Sequence, residues 1–79
     1  MKARIIVTLK SEVLDPQGKA IEGALKSLGV SGLASVRQGK IFDVEIESGD
    51  VAAATRILRE SCEKLLANTI IENFEISFG

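Results

Sequence analysis

The 79-residue chain contains no histidine, tyrosine or tryptophan, and only one cysteine, one proline and one methionine. Without histidine, no Cys-His or Ser-His nucleophile system can be built within one chain. The single Cys62 cannot close an internal disulfide, which accords with a reducing compartment. Aromatics amount to three phenylalanines, so the core has to come from Ile, Leu, Val and Ala. Neither charge sign dominates: ten Lys and Arg stand against eleven Asp and Glu, and the basic residues are scattered singly. A nucleic-acid surface, which needs a basic stripe, is not expected. No apolar run is long enough to span a bilayer, and the N-terminus starts as a strand rather than as a charged-then-apolar leader. The expectation is a cytoplasmic protein.

What is present is a chain that is 46% hydrophobic and 27% charged, the composition of an ordinary globular domain. Residues 1–79 are read as one domain. A lone domain of this size buries only roughly 60–65% of its unfolded surface. A thin aliphatic core of this kind points to further burial against another copy or a larger partner.

From Lys2 to Lys10 apolar residues alternate, with Ala3, Ile5, Val7 and Leu9 on one face, which predicts a half-buried strand. Asp15-Pro16 is a helix start, with Asp15 as N-cap and Pro16 as N1. Ala20, Ile21, Ala24, Leu25 and Leu28 follow at helical spacing, and Gly29 supplies the left-handed residue that ends the helix. Leu33 to Glu47 is a second extended region with Gln38-Gly39 in its middle. This predicts a hairpin there, or else one long strand bent or bulged at Gly39. Phe42, Val44 and Ile46 fall on its core face. Ser48-Gly49-Asp50 caps a second helix whose stripe is Val51, Ala54, Leu58, Cys62 and Leu65, flanked by Ile57 and Leu66 and ended by Asn68. Ile70 to Phe78 alternates again, with Ile70, Phe74, Ile76 and Phe78 inward.

Strand, helix, strand, strand, helix, strand is the ferredoxin-like α+β plan: an antiparallel sheet with two helices on one face, the middle two strands being replaceable by one long bent strand. The opposite face carries Ile6, Ile41 and Ile71 among Arg4, Lys10, Asp43, Glu45 and Glu75. Strand one is basic there and the strand after Gly39 acidic, so cross-strand ion pairs are expected. The three isoleucines suit a face covered by another subunit.

Little of this is chemical equipment. Cys62 lies on an apolar helix stripe and reads as packing. Asp43, Glu45 and Glu47 follow strand alternation and read as a solvated face, so no metal site is assigned. Gly18 in the first helical turn costs roughly 1 kcal/mol against alanine. A close packing contact accounts for it better than an anion, because Asp15 is already negative and Pro16 removes a donor. Arg37 and Lys40 flank the expected hairpin tip, where they read equally as a solvated turn or as a docking prong for an acidic or phosphate-bearing partner.

Four motifs in order resemble the PurS family over essentially the whole chain: Lys10-x-x-Val13-Leu14-Asp15-Pro16-Gln17-Gly18, Leu28-Gly29, Val36-Arg37-x-Gly39-Lys40, and Cys62-Glu63-Lys64-Leu65-Leu66-Ala67-Asn68. Thr69 departs from the pattern, since many relatives carry proline there, and Gln38 occupies a position often apolar in them. PurS is the small subunit of phosphoribosylformylglycinamidine synthase in purine biosynthesis. The resemblance implies a non-catalytic subunit that bridges a glutaminase and an ATP-using synthetase, supports ammonia transfer between them, and forms homodimers or larger assemblies. No cofactor is implied in this chain, and ATP and magnesium are expected on the synthetase subunit. Gln17 and Gly18, with Arg37 and Lys40, become candidates for partner contact, while no catalytic residue is assigned. The alternative reading is a free-standing ACT-like regulatory module that binds a small metabolite at a dimer interface.

Overall fold

Alternation in the first ten residues produces the strand it predicts. In the computed structural model, which describes Met1–Gly79, β1 (Lys2–Leu9) buries Ala3, Ile5 and Val7 and turns Lys2, Arg4 and Thr8 outward. β1 is the centre of a three-stranded antiparallel sheet, order β2-β1-β3, with β2 at Gly39–Glu45 and β3 at Glu72–Phe78. Ile5 lies opposite Phe42 on one side and Ile76 on the other, so the inner-face residues of all three strands form rows across the sheet. On the outer face Arg4 pairs with Asp43 in register, Nε to Oδ1 at 2.9 Å, the cross-strand ion pair expected from the sequence. Both groups are solvent-exposed, so the pair fixes register more than it adds stability.

Helix α1 (Pro16–Ser27) starts and stops where its sequence dictates. At its end the Gly29 N–H donates to Lys26 O and the Val30 N–H to Leu25 O, with Gly29 at φ +87°, a Schellman closure. Helix α2 (Val51–Ser61) is capped by Asp50, whose carboxylate accepts from the Ala52 N–H at 3.2 Å. α2 continues into a π-helical stretch, Cys62–Leu66, closed by the Ala67 N–H donating to Cys62 O at 3.0 Å. That wider turn inserts one residue into the helical count. Consequently Leu66 packs against the core and Leu65 is 84% exposed, the reverse of the regular-helix expectation. Val51 is also exposed. Of the two four-residue charge pairs available on this helix, Lys64 meets Glu60 at 2.6 Å.

After the π-helical stretch, Asn68 organises a turn rather than a strand entry. Its backbone carbonyl accepts from the Ile71 and Glu72 N–H groups, and its side-chain oxygen accepts from the Ile70 N–H. β3 therefore begins at Glu72, and Ile70, expected inward, is 83% exposed. Phe78 at the far end of the strand is only partly covered.

The core joins Ala3, Ile5 and Val7 of β1 and Ile46, just past the end of β2, to Ala54, Leu58, Cys62 and Ala67, with Phe42, Val44, Leu66, Phe74 and Ile76 packed around them. No residue of α1 belongs to it. The only buried residue of α1 is Gly18, and Ile21, Leu28, Val30 and Leu33 are all exposed. Residues 33–38, expected as the first part of the second extended region, carry no strand pairing, and the chain runs through Gln38-Gly39 into β2 without a hairpin. Gly39 lacks the positive φ that a two-residue hairpin turn needs. Neither alternative forms in full: there is no hairpin, and the strand begins only at Gly39. α1 and residues 28–36 thus form an arm that leaves the sheet. The molecule measures 48 × 25 × 15 Å with a radius of gyration of 16.0 Å, against roughly 12 Å for a compact chain of this length.

Candidate functional site

The arm is held at its root by Asp15, and each bond there follows from a local feature of the sequence. Asp15 precedes Pro16, so its side chain is free to cap, and Oδ1 accepts from the Gly18 N–H at 3.0 Å. The second oxygen, Oδ2, accepts from the Gln38 N–H at 2.7 Å, twenty-three residues away. One buried carboxylate therefore ties the start of α1 to the chain returning from the arm.

Gly18 explains how the two segments come so close. A Cβ at this position would lie within contact distance of the Val36 carbonyl oxygen and 2.8 Å from Asp15 Oδ2. The backbone that approaches is the chain's own. Gly39, on the other side of the junction, packs as tightly: a Cβ there would meet Val7 O at 2.7 Å. Arg37 completes the root, its guanidinium donating to Val13 O at 2.9 Å and Lys10 O at 3.0 Å. The loop after β1 is thereby clamped to the base of the arm.

Arg37 and Lys40 accordingly flank the root of an arm, not the tip of a hairpin. The guanidinium is occupied by backbone carbonyls, and Lys40 Nζ lies 4.0 Å from Glu72 and 5.8 Å from the centroid of the Phe42 ring. Gln17 is exposed beside them. A shallow groove at the root is lined by Leu9, Asp15, Gln17, Gln38, Lys40 and Glu72. The sequence motifs that looked separate, 10–18 and 36–40, are brought together here. The Asp15–Gln38 link escaped sequence reasoning because a cap signal identifies one acceptor oxygen and says nothing of the other. The signal that pointed to it was a glycine where helix propensity disfavours one.

The chemistry of the root is structural. Backbone hydrogen bonds from Gln38 and Gly18, aided by the nearby Arg37 charge, hold the Asp15 carboxyl below its ordinary pKa and outweigh the opposing effect of burial. Folded pKa below unfolded pKa means that this stabilisation is present above the ordinary carboxylate pKa and is lost as pH falls through the lowered folded value. Asp15→Asn, which retains a capping oxygen but not the charge, should flatten the acid side of the stability curve below about pH 4. Urea titrations between pH 2 and 6 check this; an unchanged acid limb would assign the acid sensitivity elsewhere. Cys62 is buried in the core, its thiol pushed above the ordinary value by burial and then by Glu63, which is the opposite of an activated nucleophile.

Over residues 2–79 the chain matches the family described as PurS: Phosphoribosylformylglycinamidine (FGAM) synthase. It is 46% identical over 71 residues, covering 90% of this chain and 71% of the relative, to the phosphoribosylformylglycinamidine synthase subunit PurS of Synechocystis. Among solved structures it superposes on Bacillus subtilis PurS with a TM-score of 0.85 at 41% identity, covering 96% of this chain and 94% of that one. A chain of the structure described as PurLQS from Thermotoga maritima gives a TM-score of 0.87 at 33% identity, covering 96% of this chain and 93% of that one. Overlap of that extent includes the arm as well as the sheet.

Proposed function

This chain belongs to the PurS family, and from that premise we propose that it acts as a non-catalytic assembly subunit of phosphoribosylformylglycinamidine synthase in purine biosynthesis. The observation that carries the reading is the near-complete superposition on a chain of the PurLQS structure, arm included. The residues agree with it: the only thiol is buried with a raised pKa, and the bonded cluster at the arm root is spent on holding backbone. In this role the chain bridges the glutaminase and synthetase subunits and supports ammonia transfer between them. ATP and magnesium are assigned to the synthetase, and the complex to the cytoplasm; no helix of this chain is long and apolar enough to cross a membrane. The protein self-associates as a homodimer or higher homo-oligomer. The apolar residues exposed along the arm, Ile21, Leu28, Val30 and Leu33, support that step. A free-standing metabolite-binding module is not favoured, since the relatives are subunits of a synthase.

The test mixes this chain with the matching synthetase and glutaminase and compares glutamine-dependent with ammonia-dependent product formation. Glutamine-dependent turnover should require the chain, while turnover on added ammonia should not. Glutamine-dependent turnover that proceeds equally without it would overturn the assignment. Exposed partner contacts are best probed with Gln17→Lys and Lys40→Glu, which should weaken co-elution with the two larger subunits by roughly tenfold in affinity if each removes about 1.4 kcal/mol. Arg37→Glu is a poorer probe, because it also removes the two bonds that clamp the loop after β1.

A further inference from the structure

We infer that the outer edge of β3 receives an extended segment of one of the larger subunits, which adds a strand to the sheet and sets an acidic side chain against Arg59. This rests on the assembly role proposed above and names a surface through which that role is played. β3 pairs on one side only. The Gly79 N–H donates to Lys2 O and the Lys10 N–H to Ile71 O, so the odd-numbered residues of β3 aim their backbone groups at β1. The N–H and C=O groups of Phe74, Ile76 and Phe78 therefore point away from the sheet, with no neighbouring strand to receive them. Folded proteins commonly blunt such an edge with a proline, a lysine or a bulge. Glu72–Phe78 contains neither residue, and its register with β1 runs from Leu9–Glu72 to Ala3–Phe78 without a skipped position. A regular, open edge of this kind is the template for strand addition, in which main-chain hydrogen bonds give affinity and alternate side chains give specificity.

The side chains beside the edge specify what the added segment carries. A groove runs along it, lined by Thr55 and Arg59 of α2, by Phe74 and Phe78 of β3, and by Lys10 and Thr69 where β3 begins. Opposed residues of paired strands share a face, so side chains of an added strand that oppose Phe74, Ile76 and Phe78 face α2. There they meet the Arg59 guanidinium, which lies 6.0 Å from the centroid of the Phe74 ring. Neither Arg59 nor Lys10 enters an ion pair within the chain. The acids of the groove are committed or turned away: Glu72 holds Lys40 and accepts from the Asn68 N–H, and Glu75 lies on the opposite face beside Ile6. The charge left to be matched from outside is positive, on a wall whose other members include two phenylalanines. An extended segment that alternates toward α2 with apolar and acidic side chains fits it. A second copy of this chain fits poorly, because on the corresponding face its own β3 offers Phe74, Ile76 and Phe78, and the one acid there, Glu72, is already taken.

The edge is tested by removing one outward donor and nothing else. Cys62 precedes β3, so the full chain can be joined from a 1–61 thioester and a synthetic 62–79 peptide whose Ile76 carries an N-methyl group. The methyl abolishes the outward N–H and leaves the Ile76 side chain and every bond to β1 in place. Titrated against the matching synthetase and glutaminase, this chain should bind roughly tenfold more weakly than the same joined chain without the methyl. Its thermal unfolding and its sedimentation in isolation should be unchanged. Arg59→Glu should weaken binding by a similar factor, whereas Arg56→Glu, exposed on the same helix outside the groove, should not. Unchanged affinity of the N-methylated chain would overturn the inference. So would a methyl that alters the sedimentation of the isolated chain instead, which would give the edge to a second copy. Weakening by the methyl but not by Arg59→Glu would overturn the acidic side chain. If the N-methylated chain binds normally and glutamine-dependent turnover still requires the chain, only the edge falls; if turnover is indifferent to the chain, the assembly role falls with it.

Discussion

Gly18→Ala is expected to destabilise the protein by about 2 kcal/mol, even though alanine is the better helix former by roughly 1 kcal/mol. The two effects oppose each other, and the surroundings decide. An added methyl would press on the Val36 carbonyl oxygen and on the Asp15 carboxylate, 2.8 Å away. The carbonyl is backbone and cannot rotate aside. Relief requires moving residues 36–38 away from α1, which stretches the 2.7 Å bond from the Gln38 N–H to Asp15. Clash and bond loss together exceed the propensity gain. Gly23, in the same helix, has no neighbour within 4 Å of a Cβ. Gly23→Ala should therefore stabilise by about 0.5–1 kcal/mol. Urea unfolding of both variants at one fixed protein concentration checks the pair. Equal signs would show that the close approach at Gly18 carries no energetic weight. If the arm makes the self-association surface, Gly18→Ala should also weaken assembly, because it re-aims the arm at its root.

Leu58→Ala should cost about 3 kcal/mol, and Leu65→Ala less than about 0.5 kcal/mol, although a regular helix places both on one apolar stripe. Leu58 is 1% exposed in the middle of α2, packed with Ile5, Val7 and Cys62. Removing three heavy atoms there forfeits transfer free energy and leaves a cavity that a small aliphatic core cannot refill. For a domain of this size the loss corresponds to a fall in Tm of roughly 12–24 °C. Leu65 lies past the π-helical turn and is exposed, so its truncation removes little buried surface. Thermal unfolding followed by circular dichroism distinguishes the two. Comparable losses would mean that the helix is regular through residue 66 and that Leu65 packs in the core.

Much of the architecture was legible because it is local. The strand alternation of residues 2–9, the Asp15-Pro16 and Asp50 caps and the Gly29 stop each depend on a few adjacent residues, and each forms as those residues require. Cross-strand pairing of Arg4 with Asp43 was legible for a related reason: once the faces are fixed by alternation, opposite charges on one face have few registers in which to meet. The π-helical stretch was not legible, because one inserted residue is decided by how the helix end settles on the sheet. The start of β3 was missed on similar grounds, since Asn68 spends its side chain and carbonyl on a turn that the apolar pair Ile70-Ile71 disguises as strand.

By itself, then, the sequence determined β1, the starts of both helices with their caps, the inner face of β1 and the lack of a histidine-based nucleophile, all of which follow from residue type and short-range spacing. Only the tertiary structure decided that the chain continues straight through Gln38-Gly39, that Asp15 ties residues 18 and 38 to one carboxylate, and that α1 leaves its own sheet uncovered. The physical reason is one of range. A hairpin and a continuous strand differ by a single backbone reversal, and Gln-Gly is compatible with both. The choice between them is made by contacts from residues 10, 13, 15 and 18, far away along the chain, that close on the junction only once the fold has brought them there.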